Sequence, residues 1–273
     1  MGTDKTIVLT GAASGIGKHL AKALSGRGHR VLATDVNEQG LSELASLRGR
    51  GGGGDVLTHA LDVTSPEAWE RALDAAEKAF GPADVVMNIA GFLKPGFIHE
   101  TDERSVHLHI DVNVKGVIFG TRAAAKRMVP RGSGHIVNFG SLASLAAVPG
   151  LCLYSASKFA VRGFSLAAAA ELKPHGVAVT VVMPDAVQTP MLDLQVDYKE
   201  AAMTFSGDAP LTVEDIESAI VSRVLPRRPM EVTIPLGRGL LARVATTAPA
   251  AALLLAPSLT AKGQKAQEKA RKS

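Results

Sequence analysis

Tyr154 and Lys158 stand four residues apart in a helical stretch, so both side chains leave one face and meet as neighbours. A phenol titrates near about 10 when unperturbed, and a cation beside it favours the phenolate. The pair is a candidate proton donor and acceptor. Ser141 closes a short apolar run and brings a hydroxyl able to hold a substrate oxygen. Asn113 places an amide of low helix propensity inside a long helical segment, which invites a functional explanation. Far upstream, Gly11-Ala12-Ala13-Ser14-Gly15-Ile16-Gly17 follows the first apolar run and opens a helix. Glycines there let the backbone turn tightly and approach a pyrophosphate, whose charge is met by free N–H groups and the positive end of the helix dipole. The plain alternative is an ordinary tight turn between a strand and a helix.

Asp35 ends the second apolar run, about twenty residues past the glycine loop, where a carboxylate accepts hydrogen bonds from both hydroxyls of an adenosine ribose. It would repel a 2′-phosphate, and Ser14, not a basic residue, precedes Gly15. NAD is therefore expected over NADP; the alternative is a surface acid at a strand end. Asp62-Val63 after the third run are placed to cap the adenine edge. Asn88-Ile89-Ala90-Gly91 ends the fourth run, with small residues that leave room for a cofactor lying across the sheet's carboxyl edge.

The elements that must carry these residues repeat along the chain. Apolar runs at Thr6–Thr10, Arg30–Thr34, Val56–Leu61, Asp84–Ile89, His135–Phe139, Ala178–Met183 and Glu231–Ile234 are nearly continuous, as a parallel strand buried on both faces requires. Helical segments fit between them at about Gly15–Gly28, Asn37–Leu47, Pro66–Phe80, Glu103–Met128, Tyr154–Lys173 and Val213–Leu225. Ser65-Pro66-Glu67 and Thr212 with Glu214-Asp215 carry helix-start signals. The expected fold is α/β: a Rossmann-like doubly wound parallel sheet of about seven strands with helices on both faces. Residues 1–236 form one catalytic domain, with Thr189–Pro210 as a lid. The Gly-rich Arg48–Gly54 reads as a surface connection because no helix start follows it.

Charge and cysteine content narrow the classes further. The formal net charge is +4, but residues 262–273 hold five basic groups against Glu268 alone, so the body of the chain is neutral and no nucleic-acid partner is expected. Cys152 is the only cysteine, which excludes an intrachain disulfide and suits a reducing compartment. No signal-peptide pattern precedes the first strand, so a cytoplasmic location is expected. Met1-Gly2 and Thr6 match a bare myristoylation pattern, but Thr6 is needed in the first buried strand.

Together the Thr10–Gly17 loop, Asn88–Gly91, Asn113, Ser141 and Tyr154-Ser155-Ala156-Ser157-Lys158 resemble the short-chain dehydrogenase/reductase family over about Lys5 to Ile234. The resemblance implies an Asn113–Ser141–Tyr154–Lys158 tetrad. Tyr154 is then the general acid/base, and Ser141 orients the substrate oxygen. Lys158 binds the nicotinamide ribose and lowers the tyrosine pKa, while Asn113 holds a relay water. The implied cofactor is NAD, contacted by Gly11, Ser14, Gly15, Ile16, Gly17, Asp35, Asp62, Val63, Asn88, Ala90, Gly91, Tyr154, Lys158, Pro184, Val187 and Thr189; no metal is expected. One departure stands out: Asp185 follows Pro184 where the family usually has glycine, which puts the backbone path beside the nicotinamide in doubt.

Apolar residues expected around the tetrad (Phe92, Leu93, Leu142, Leu145, Val148, Leu151, Met191, Leu192) favour a lipophilic secondary alcohol or its ketone, of steroid, retinoid or lipid type. A 3-oxoacyl-thioester reductase and a non-catalytic dinucleotide sensor are the alternatives; Asp35 counts against the first and the intact tetrad against the second. The family implies a homodimer or homotetramer built on the long helices. Residues 237–261 read as an apolar helical extension and 262–273 as a disordered basic tail. Leu240, Leu241, Val244 and Ala248 share a helical face that suits either the protein's own cleft or peripheral contact with an anionic membrane; the stretch is too short to span one.

Overall fold

A computed structural model describes residues 4–46 and 54–271. Met1-Gly2 and, apart from Gly54, the glycine-rich connection lie outside the described residues. Seven strands, β1 (Thr6–Thr10), β2 (Arg30–Asp35), β3 (Val56–Ala60), β4 (Val85–Asn88), β5 (Gly134–Phe139), β6 (Val177–Pro184) and β7 (Glu231–Ile234), form one sheet in the order β3-β2-β1-β4-β5-β6-β7. Every pairing is parallel. Strand order reverses between β1 and β4, which opens a crevice at their carboxyl ends.

The near-continuous apolar runs are explained by what covers them. On one face Ile7, Leu9, Val31 and Ala33 pack on α1 (Gly15–Ser25), α2 (Glu38–Ala45) and α8 (Val213–Ala219). On the other, Val8, Leu32, Val86 and Ile136 meet α3 (Pro66–Phe80), α5 (Gly116–Met128) and α6 (Cys152–Leu172). Both helix-start signals are realised: Ser65 accepts from the Ala68 N–H at 3.1 Å, and Thr212 forms a capping box with Asp215.

Three details differ from the periodicity reading. The helix over 103–128 is interrupted: α4 (Glu103–Ile110) joins α5 through a π turn at Asp111–Lys115 that contains Asn113. A second π turn, Ile220–Val224, links α8 to the short α9 (Leu225–Arg227). Such turns insert one extra residue per turn and frequently mark functional positions. The segment read as a lid contains α7 (Pro190–Asp193) and a 3₁₀ helix at Lys199–Ser206.

The third difference is at the carboxyl end. The extension is two helices, α10 (Leu236–Thr247) and α11 (Pro249–Ala270), and the basic stretch read as a disordered tail is helical through Ala270. Its anchors are specific. Gly263 lies so close to the Ala202 carbonyl that a Cβ would stand 1.8 Å from that oxygen. One turn on, the buried Gln267 amide donates to the carbonyls of Gln195 and Tyr198, both at 3.0 Å. Lys262 pairs with Asp208 at 2.8 Å. Among the described residues no helix is long and apolar enough to cross a membrane.

Candidate active site

At the crevice between β1 and β4 the glycine loop does what its composition requires. Gly11 and Gly15 have φ of 73° and 49°, in the left-handed region that costs glycine nothing. A Cβ on Gly17 would stand 2.1 Å from the Gly11 carbonyl, so only glycine lets α1 start this close to the loop. Ser14 caps α1 without a side-chain hydrogen bond and no acid occupies the first turn, which leaves the amino end of the dipole uncompensated by the chain. Thr10 Oγ1 accepts from the Ile89 and Ala90 N–H groups, each at 3.0 Å, and so brings the end of β4 against the loop.

Asp35 is aimed by two backbone donors: its carboxylate accepts from the Ala13 N–H at 3.0 Å and the Asn37 N–H at 2.9 Å. Asp62 accepts from both the N–H and the hydroxyl of Thr64, at 2.8 and 2.7 Å. Both acids border a cavity of about 1100 Å³, together with Gly11, Ser14, Gly15, Ile16, Gly17, Val63, Ala90, Gly91, Pro184, Val187 and Thr189. This cradle fits a dinucleotide: a glycine loop at a bare helix amino end, then an oriented carboxylate at the next strand end.

Asn88 is the exception among the expected cofactor contacts. It is buried beneath the crevice, where its amide donates to Asn138 Oδ1 at 2.7 Å and to Thr121 Oγ1 at 3.4 Å. Asn88, the last residue of β4, turns toward Thr121 of α5, whereas Ala90 and Gly91, beyond the strand end, border the cavity.

The same cavity is bordered by Ser141, Tyr154 and Lys158. Ser141 follows β5 and begins the 3₁₀ turn Leu142–Ser144, its Oγ accepting from the Ala143 N–H at 3.2 Å. Ser141 stands close enough to Tyr154 to favour its phenolate. Lys158 Nζ donates to the Phe139 carbonyl at 2.8 Å and lies 5.5 Å from the centre of the Tyr154 ring. Burial pushes the Tyr154 phenol up to about 12, against the opposing influence of Ser141, and pushes the Lys158 ammonium down to about 8, so the expected lowering of the tyrosine by the lysine is not seen in the protein alone. Taking both groups out of water disfavours each charged form.

Asn113 is fully buried behind this wall. Its Oδ1 accepts from the Phe92 N–H at 2.7 Å, and its Nδ2 donates to the Phe92 carbonyl at 2.9 Å and to Ser157 Oγ at 3.0 Å. It therefore fixes the segment that follows Gly91 against α6. Gly91 keeps the gap between them open, since a Cβ there would lie 3.5 Å from Asn113 Oδ1 and 3.7 Å from Lys158 Nζ.

The cavity walls are apolar, but not entirely as expected. Leu93, Leu142, Val148, Leu151, Met191 and Leu192 border it, whereas Leu145 is sealed in the core and Phe92 packs edge-on against His109. The rest of the enclosure comes from the carboxyl-terminal helices: Leu241, Val244, Ala248, Leu253, Leu255 and Leu259 roof the cavity. Asp185, the residue standing for glycine, forms an ion pair with Arg238 of α10, and both reach the cavity. Burial raises the Asp185 carboxyl and Arg238 opposes that rise. Sequence reading missed this pair because 53 residues separate its members; the unusual acid at position 185 was the one available signal.

The family model for short chain dehydrogenases matches residues 5–199. A 3-alpha-(or 20-beta)-hydroxysteroid dehydrogenase of Mycobacterium bovis is 37% identical over 191 residues, covering 69% of this chain and 71% of its own. Dehydrogenase/reductase SDR family member 6 of Rattus norvegicus is 35% identical over 206 residues, 74% of this chain and 80% of its own. Among solved structures, a short chain dehydrogenase/reductase from Burkholderia phymatum in complex with NAD superposes with a TM-score of 0.78 at 25% identity, over 88% of this chain and 92% of that one. The chain belongs to the short-chain dehydrogenase/reductase family and is an oxidoreductase of that family.

Proposed function

We propose that the protein is an NAD(H)-dependent alcohol dehydrogenase or ketone reductase acting on a lipophilic secondary alcohol of steroid, retinoid or lipid type. The observation that carries this reading is one cavity with three parts. Asp35 stands at the adenosine end, the Ser141–Tyr154–Lys158 cluster at the reacting end, and an aliphatic enclosure lies beyond it. Bound NAD would supply the hydride acceptor or donor. The glycine loop, Asp35, Pro184, Val187 and Thr189 would hold it, and Asp35 supports NAD over its phosphorylated form.

The chain's own groups do the proton chemistry. Ser141 and Tyr154 present two hydroxyls to one substrate oxygen. In reduction the neutral phenol, favoured by burial, donates its proton to that oxygen. In oxidation the phenolate accepts the proton, and the Lys158 ammonium stabilises the charge. Asn113 acts from behind, by holding the Phe92 backbone and the open gap at Gly91. Steroid chemistry in the Mycobacterium bovis relative supports a bulky, apolar substrate. Exposed Val106, Ile110 and Phe159 on α4 and α6 support self-association into a homodimer or homotetramer. Screening NAD reduction over steroid, retinoid and aliphatic secondary alcohols tests the assignment: turnover should favour the bulky apolar members, and indifference to chain size and polarity would refute it.

A further inference from the structure

The carboxyl-terminal helices have an inner face that roofs the cavity and an outer face with no obvious reason to be apolar. Of the fifteen large hydrophobic side chains exposed among the described residues, seven lie between Leu236 and Leu255. Leu240 is 65% exposed, Leu241 71% and Leu254 81%. Leu236, Leu240 and Val244 follow each other at helical spacing along α10, and Leu253 to Leu255 open α11 beside them. Four of these side chains, Leu241, Val244, Leu253 and Leu255, also border the cavity. The rim of the substrate cavity is thus itself an exposed aliphatic patch.

We propose that this rim docks peripherally on an anionic membrane surface and lets a lipophilic substrate pass between the bilayer and the cavity. Charge complementarity chooses the occupant. The second half of α11 carries Lys262, Lys265 and Lys269 against Glu268, with Arg271 just past its end; Lys262 and Arg271 are paired with Asp208 and Asp197, which leaves Lys265 and Lys269 as its outward cations. Lys265 and Lys269 form no ion pair among the described residues. Leu254 and Lys265 are both exposed on α11, on either side of its interior Pro257. Leucines at one end of a helix and lysines at the other suit shallow burial of the first among acyl chains, with the second among anionic headgroups. A second copy fits less well, because a twofold pairing along α11 sets the lysine half against either lysines or leucines and supplies no anion in either sense. Substrate passage rests on the lipophilic-substrate reading above, whereas docking of the rim does not.

The test is flotation of the full-length protein with vesicles of phosphatidylcholine alone and of equal parts phosphatidylcholine and phosphatidylserine, at low and high salt. The wild type should float with the anionic vesicles, and less so with neutral ones or in high salt. Leu240→Ser with Leu254→Ser, at positions outside the cavity, should lower the bound fraction by ~10-fold or more, and Lys265→Glu with Lys269→Glu should do likewise. NAD reduction with a water-soluble alcohol, measured on the same samples, should be unchanged in both double variants, which separates failure of docking from failure of the enzymatic reading. Wild-type protein that never floats overturns the proposal. So does a leucine variant that floats equally well, or one whose only change is loss of a dimer by light scattering.

Discussion

The Lys158 ammonium lies 5.5 Å from the centre of the Tyr154 ring and is tied to the Phe139 carbonyl at 2.8 Å. Both groups are displaced from their ordinary titration, the lysine down to about 8 and the phenol up to about 12. A lysine lowered in the folded state contributes stability that is present above its unfolded value of 10.5 and lost as pH falls through about 8. A phenol raised in the folded state contributes stability present below 10.0 and lost as pH climbs through about 12. Unfolding free energy in denaturant titrations should therefore rise between pH about 8 and about 10. Lys158→Met should flatten that rise; a slope unchanged in the variant would mean another group titrates there.

Catalysis should follow the same two groups. Oxidation uses the scarce phenolate, so its kcat/KM should climb with pH and flatten above about 8 as the Lys158 ammonium titrates, while ketone reduction, which uses the abundant phenol, should stay level through neutrality. Tyr154→Phe keeps the ring and removes the proton. Turnover should fall by ~10²-fold or more in both directions. Fluorescence titration should show NADH still bound, and near-normal turnover would remove Tyr154 from the mechanism.

Asp35 receives N–H groups from Ala13 and Asn37, so its carboxylate is held in place before any ligand arrives. The wild type should show a higher kcat/KM with NAD than with NADP. Asp35→Ala should shrink the difference by ~10-fold, the scale expected when a charged hydrogen-bond acceptor is lost. Steady-state kinetics with both cofactors decides it, and a wild type that prefers NADP would overturn the assignment.

The Asp185–Arg238 pair explains how a cavity bordered by an arginine still reads as apolar: the cation is neutralised by its partner. Asp185→Ala leaves Arg238 facing the cavity with only the exposed Asp208, already paired with Lys262, as a counter-charge nearby. An alcohol bearing a distal carboxylate should then gain ~10-fold in kcat/KM relative to its methyl analogue, the scale of one hydrogen bond to a charged group. No change in that ratio would mean Arg238 is turned away when substrate binds.

What could be read in the sequence was whatever is encoded by local spacing. The loop at Gly11–Gly17, Asp35 at a strand end and the Tyr154–Lys158 interval all follow from one element's geometry, and the structure sets all three around one cavity. What spacing left open depended on direction or on distance. Asn88 ends a strand buried on both faces, so the apolar pattern gives no hint of which way its side chain turns. Asn113 was noticed as an odd residue in a helix, but the π turn around it has no composition of its own. Lys262–Ala270 looks like a solvated tail by charge; only Gly263 and Gln267, one turn apart, betray that one face is docked.

Gly263 offers the sharpest check of that docking because two effects of one substitution have opposite signs. In an exposed helix, Gly→Ala stabilises by up to about 1 kcal/mol through backbone entropy. At Gly263 the added Cβ would stand 1.8 Å from the Ala202 carbonyl, a backbone atom that cannot swing aside. Overpacking of this kind costs about 1–3 kcal/mol and should outweigh the propensity gain. Gly263→Ala should therefore lower the melting temperature or release α11, exposing Pro249–Ala270 to limited proteolysis while NADH binding at the glycine loop survives. Release would also strip Leu253, Leu255 and Leu259 from the cavity, so KM for apolar alcohols should rise more than kcat falls. A variant that melts higher than the wild type, with α11 equally protected, would show that the helix does not rest on the Lys199–Ser206 segment.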